Sequence, residues 1–66
     1  QLNQFMEAVM AYGLKPHDLL PNTRMAGGRE FVTIQRNDVV RTYDGEADWA
    51  PQAIADLHSG IWGPPP

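Results

Sequence analysis

The chain has 66 residues, a formal net charge of −3 and no cysteine. So short a chain buries only about 60% of the surface that it exposes when unfolded, which restricts it to one small domain of marginal stability. The composition excludes disulfides and thiolate metal sites, no apolar run approaches the roughly 20 residues that span a bilayer, and the first residues carry no basic segment. We therefore expect a cytoplasmic protein without a membrane partner.

The first predicted element is an amphipathic helix over residues 2–12. Gly13 is a natural residue for its C-terminal end, because glycine readily adopts the left-handed conformation that closes a helix. The apolar residues recur at i, i+3, i+4, i+7 and i+8 and comprise Leu2, Phe5, Met6, Val9 and Met10.

The next stretch predicts a short turn and then an open loop. Pro16 can open a single helical turn and Pro21 stops it, with Leu19 and Leu20 making an apolar contact under the helix. Residues 22–28 are polar and end in two glycines, which favours a loop.

A β-hairpin is predicted where two segments rich in β-branched and aromatic residues, 31–35 and 39–43, flank the sequence Arg36-Asn37-Asp38. A three-residue loop separates apolar from charged side chains better than a two-residue Asn-Asp loop, so we favour that register. One face then carries Val32, Ile34, Val40 and Thr42, and the other carries Phe31, Thr33, Gln35, Val39, Arg41 and Tyr43.

A second helix is predicted after the turn at Asp44-Gly45, capped by Asp48 or Ala50, with Pro51 in its first turn and Gly60 at its end. The domain is therefore expected over residues 1–63, followed by a proline tail or the start of a linker over 64–66. The predicted fold class is α+β in the order helix–hairpin–helix (αββα), with both helices on one face of a two-stranded antiparallel sheet.

No catalytic or metal-binding pattern emerges from the spacing of the reactive residues. His58 and Ser59 are adjacent, which does not allow the hydroxyl–imidazole geometry of a catalytic triad. Asp44-x-Glu46-x-Asp48 lacks the glycine and the last glutamate of a calcium loop, and Gly27-Gly28-Arg29 lacks the rest of a phosphate-binding loop. We expect a protein that is not an enzyme and has no cofactor and no metal.

Binding is the expected activity, and its candidate residues are aromatics and arginines: Phe31, Arg41 and Tyr43, with Arg29, Arg36 and Trp62. Such residues are enriched in protein interfaces. We expect a protein-binding regulatory module, of the kind by which a phage or mobile element regulates or inhibits a large host assembly such as RNA polymerase. The alternative is an accessory domain that binds single-stranded nucleic acid through the arginine-bearing hairpin.

A third possibility, suggested by the missing initiator methionine and the proline tail, is a fragment of a larger replication-type enzyme. The spacing Phe5…Gly13-Leu14-x-Pro16, followed by Tyr43-Asp44-Gly45 and Gly60-Ile61-Trp62-Gly63, resembles accessory segments near the start of phage and plasmid primase-helicases. The chain departs from those enzymes in having no zinc ribbon and no acidic metal-binding core.

Overall fold

Two helices and a three-stranded antiparallel sheet make up the structure, a computed structural model that describes residues 1–66. The elements are helix α1 (Leu2–Tyr12), a 3-10 turn (Pro16–Leu19), strands β1 (Asn22–Ala26), β2 (Arg29–Arg36) and β3 (Val39–Asp44), and helix α2 (Ala50–His58). The α+β class is confirmed. The two-stranded sheet and the αββα order are wrong, because a third strand precedes the predicted hairpin and the order is αβββα.

Helix α1 has the predicted bounds, but its buried stripe is narrower than the apolar pattern. Gly13 closes it with a φ of 99° and donates its N–H to the carbonyls of Val9 and Met10. Phe5 and Val9 are completely buried, whereas Leu2 and Met10 remain 50% and 57% exposed. Neither α1 nor α2 has the length and apolar character that a membrane crossing requires.

Strand β1 occupies the segment predicted to be a loop. It pairs with β2 through a two-residue turn at Gly27-Gly28, with Ala26 opposite Arg29. Both glycines have positive φ, 58° and 74°, which matches the twist of a two-residue hairpin. All five residues of β1 are exposed, so the strand has no alternation of apolar and polar residues that periodicity could detect.

The register of β2 against β3 also differs from the prediction. Arg36 lies opposite Val39, so Asn37 and Asp38 form a two-residue loop, and Asn37 takes a φ of 55°. Asparagine tolerates this left-handed conformation better than most residues. The predicted three-residue loop is therefore wrong, and Tyr43, opposite Val32, shares the face of Val32 and Ile34.

The core lies between the two helices and one face of the sheet. Phe5 is at its centre, with its ring centroid 6.1 Å from that of Trp49 and 6.2 Å from that of Trp62, both in inclined orientations that aromatic pairs favour. The buried side chains are all hydrophobic or aromatic: Phe5, Val9, Leu19, Val32, Ile34, Tyr43, Trp49, Ala50, Ala53, Leu57 and Trp62.

The start of α2 is capped from the other end of the chain. The side chain of Gln1 accepts a hydrogen bond from the N–H of Ala50 at 2.9 Å and donates to the carbonyl of Ala47 at 2.7 Å. Asp48 makes no capping bond, and Trp49 stands at the N-cap position without a side-chain bond. Gln1 thereby joins the first helix to the beginning of the second.

Candidate partner-binding surface

The helices cover one face of the sheet and leave the other uncovered. Because residues paired across antiparallel strands project to the same side, the register assigns every strand residue to one of the two faces. We call the uncovered side the open face and define it by Asn22, Arg24, Phe31, Thr33, Gln35, Val40 and Thr42.

Phe31 is the aromatic residue of the open face. It lies on the central strand, directly opposite Arg24 of β1 and opposite Asp44 of β3. The ring is only partly buried. An arginine therefore lies beside an accessible aromatic side chain, and both residue types are enriched in protein interfaces.

Polar and apolar side chains continue this surface toward the β2–β3 turn. Thr33 lies between Asn22 and Thr42 in the next row, and the two threonine hydroxyls are 3.4 Å apart, within hydrogen-bonding distance. Val40 is 45% exposed at the β3 side. The open face thus offers hydrogen-bonding groups around apolar contacts.

Arg29 is already bound within the protein. Its guanidinium donates to Asp44 and lies 3.7 Å from a carboxylate oxygen of Glu46. The bond with Asp44 raises the pKa of Arg29, and the same bond lowers the pKa of the Asp44 carboxyl. Glu46 also accepts the N–H of Glu30, so this group holds the segment before α2 against the sheet.

Tyr43, Trp62 and Arg36, all predicted to bind a partner, contribute to the core or to its edge. Tyr43 is 7% exposed and donates its hydroxyl to Asp56, and burial, reinforced by this bond, raises the pKa of the phenol. Trp62 is 2% exposed, and its indole N–H donates to the carbonyl of Val39 at 3.2 Å. Arg36 donates to the carbonyl of Trp62. The assignment of Tyr43 to one surface with Phe31 depended on the incorrect register.

Arg41 remains exposed on β3, opposite Ile34, and forms no ion pair. Of the six predicted residues, Phe31 and Arg41 have side chains that are accessible and form no hydrogen bond or ion pair within the protein. The expectation that they share one face is wrong: the register places Phe31 on the open face and Arg41 on the side of Ile34, at the outer strand. Arg24 is absent from the predicted set because the sequence of β1 predicts a loop. The Gly-Gly pair between two segments of strand length was the signal that a two-residue hairpin was present.

The remaining candidate sites are a cleft and the acidic and histidine side chains. An open cleft of about 340 Å³ lies beyond the end of α1 and is lined by Gly13, Leu14, Lys15, Asp18, Arg36 and Pro66. No group of three histidine, aspartate or glutamate side chains is arranged to hold a metal ion. Comparison of the chain with protein-family models, curated proteins and solved structures gave no match.

Proposed function

We propose that the protein is a non-enzymatic binding module whose open face contacts a partner protein. The observation that carries this proposal is the position of Phe31: a partly buried aromatic side chain at the middle strand of a sheet face that no helix covers. Aromatic residues and arginine contribute most of the binding energy in many protein interfaces, and polar residues around them complete the fit.

The charges favour a protein over a nucleic acid. The chain has a net charge of −3, and Arg29 is neutralised by Asp44 and Glu46. Binding to a phosphate backbone depends on several uncommitted cations. Arg24 and Arg41 form no ion pairs and suit an acidic surface on a protein, where they would speed association. The partner class that we propose is a large host assembly such as RNA polymerase, with this protein as its regulator.

Affinity capture with immobilised protein tests the proposal. The probes are purified bacterial RNA polymerase and a bacterial lysate, each with and without nuclease. Phe31→Ala is the test variant, and Met10→Ala, which truncates an exposed side chain on α1, is the matched control. We expect a protein that binds the wild type and Met10→Ala after nuclease treatment but does not bind Phe31→Ala. Equal capture by Phe31→Ala would contradict the role of the open face.

A second candidate function is binding of single-stranded nucleic acid, and the direct pairing of Arg24 with Phe31 favours it. An aromatic ring beside a guanidinium is a stacking surface for unpaired bases. Fluorescence anisotropy with a labelled single strand of about 12 nucleotides, within the usual site size, tests this function. If it is correct, affinity falls as salt rises and is lost in Phe31→Ala. Affinity independent of salt, or no binding, excludes it.

A further inference from the structure

The outer edge of β3 carries backbone groups without partners. Gly45 donates its N–H to the carbonyl of Glu30 at 2.9 Å, which makes that pair a hydrogen-bonded one. Hydrogen-bonded and non-hydrogen-bonded pairs alternate along an antiparallel ladder. Arg41 and Tyr43 therefore bond to β2, whereas the N–H and C=O groups of Val40 and Thr42 point away from the sheet. No side chain of the protein bonds to them.

Each edge strand has an unpaired arginine at its middle, Arg24 in β1 and Arg41 in β3. Antiparallel pairing of two copies about the middle of either strand would put arginine opposite arginine, which is unfavourable. Charged side chains of this kind protect sheet edges from self-association. The same arginine favours a strand that carries a carboxylate at the opposite position.

The β3 edge is anchored to the core at both of its ends. Tyr43 is buried and bonds to Asp56 of α2, and the indole of Trp62 bonds to Val39 at the other end of the strand. All residues of β1, in contrast, are exposed. A strand held in place loses less conformational entropy when it binds, so β3 is the better template.

We propose that the β3 edge binds an extended acidic segment of a partner protein by antiparallel strand addition. The backbone of the segment pairs with Val40 and Thr42, an acidic side chain lies opposite Arg41, and an apolar side chain lies beside Val40 on the open face. Positions opposite Arg41 belong to a non-hydrogen-bonded pair, in which side chains approach most closely. This inference rests on the proposed function, since it names the chemistry of the partner.

The probe is the synthetic peptide acetyl-Thr-Thr-Glu-Val-Thr-amide, titrated into the ¹⁵N-labelled protein to about 10 mM, because a short peptide binds weakly. In the paired register its glutamate lies opposite Arg41 and its valine beside Val40. We expect saturable shifts of the Val40 and Thr42 amide resonances and slower hydrogen exchange at both. Two control peptides are matched to it: one has lysine in place of glutamate, and one is N-methylated at the residues that face Val40 and Thr42.

The lysine peptide is expected to bind about fivefold more weakly or worse, and the N-methylated peptide not at all. Arg41→Glu should reverse the preference between the glutamate and lysine peptides, whereas Arg24→Glu should leave it unchanged. The spectrum of each variant reports whether it is folded, and the comparison of peptides on the wild type requires no variant.

Equal affinity for the two charged peptides, no saturable shift, or shifts at Thr23 and Met25 of β1 would overturn the proposal. The capture experiment with Phe31→Ala separates this failure from that of the proposed function. If the open face still captures a protein while the peptide does not bind, only the assignment of the β3 edge is wrong. If capture fails, the proposed function fails whatever the peptide does.

Discussion

Replacement of the two phenylalanines, Phe5 and Phe31, tests the division of the protein into a core and an open face. Phe5 is fully buried and contacts Trp49 and Trp62, whereas Phe31 is partly exposed. Truncation of a buried phenylalanine to alanine lowers the free energy of unfolding by about 3–5 kcal/mol. Each aromatic pair contributes about 0.5–1.5 kcal/mol beyond the burial of its surface, and Phe5→Ala removes two such pairs. Phe5→Ala should therefore destabilise the protein by about 4 kcal/mol.

This loss is large relative to the whole stability of the chain. At about 0.05–0.15 kcal/mol per residue, a domain of this length has a free energy of unfolding of roughly 3–10 kcal/mol. Phe5→Ala should lower the urea midpoint by about 3 M or leave the protein unfolded, since a small domain loses about 1–2 kcal/mol per M urea. Phe31→Ala should cost about 1 kcal/mol, the value of a cross-strand pair.

Tryptophan fluorescence during urea unfolding is the suitable assay, because Trp49 and Trp62 both contact Phe5. The two variants remove the same atoms, so the comparison depends only on where each ring lies. Equal midpoints for Phe5→Ala and Phe31→Ala would refute the assignment of Phe5 to the core and Phe31 to the open face.

Substitutions at three further positions test the register and the polar contacts. Tyr43→Phe removes the bond to Asp56 and should lower the free energy of unfolding by about 1–2 kcal/mol. Because the folded pKa of Tyr43 is raised, the stability of the wild type should also fall as pH rises above about 10. Urea unfolding at increasing pH should show a smaller fall in stability for Tyr43→Phe than for the wild type. The stability of Asp44→Asn should be less sensitive to acid than that of the wild type. The lowered pKa of Asp44 stabilises the fold above about pH 4, and this contribution is lost as pH falls further. Thermal melts at pH values below about 4, with and without salt to screen the pair with Arg29, measure the difference. Asn37→Ala should melt at a lower temperature than Asn37→Gly, because the φ of 55° strains alanine, and it should be less stable by about 1 kcal/mol. Equal melting temperatures would contradict the two-residue turn.

Local patterns were sufficient for the helices. The spacing of apolar residues and Gly13 predicted α1 at the residues where it lies, and Pro51 and Gly60 bracketed α2. Both helices are signalled by residues close together in the sequence. These are the apolar residues that line one face of the helix and the residue that closes the helix in the left-handed conformation. The start of α2 did not follow this rule, because its cap comes from Gln1 at the far end of the chain.

The open face was only partly predictable, because its residues come from strands that are not all visible in local patterns. Phe31 was correctly placed on the outer side of the hairpin, but Arg24 was missed together with β1, whose residues are all exposed and therefore show no periodicity. Aromatic residues occur both in interfaces and in cores, so composition did not distinguish Phe31 from Trp62.

The sequence by itself determined the fold class, the bounds of the first helix and the presence of the β2–β3 hairpin. Only the tertiary structure decided which side of that hairpin is covered. In isolation, the three-residue register separated apolar from charged side chains better. In the folded chain, the two-residue register buries the larger ring of Tyr43 in place of Val40 and gives its hydroxyl the acceptor Asp56 on α2. A buried phenol requires such a partner, and a contact between residues on separate elements is not visible in local spacing.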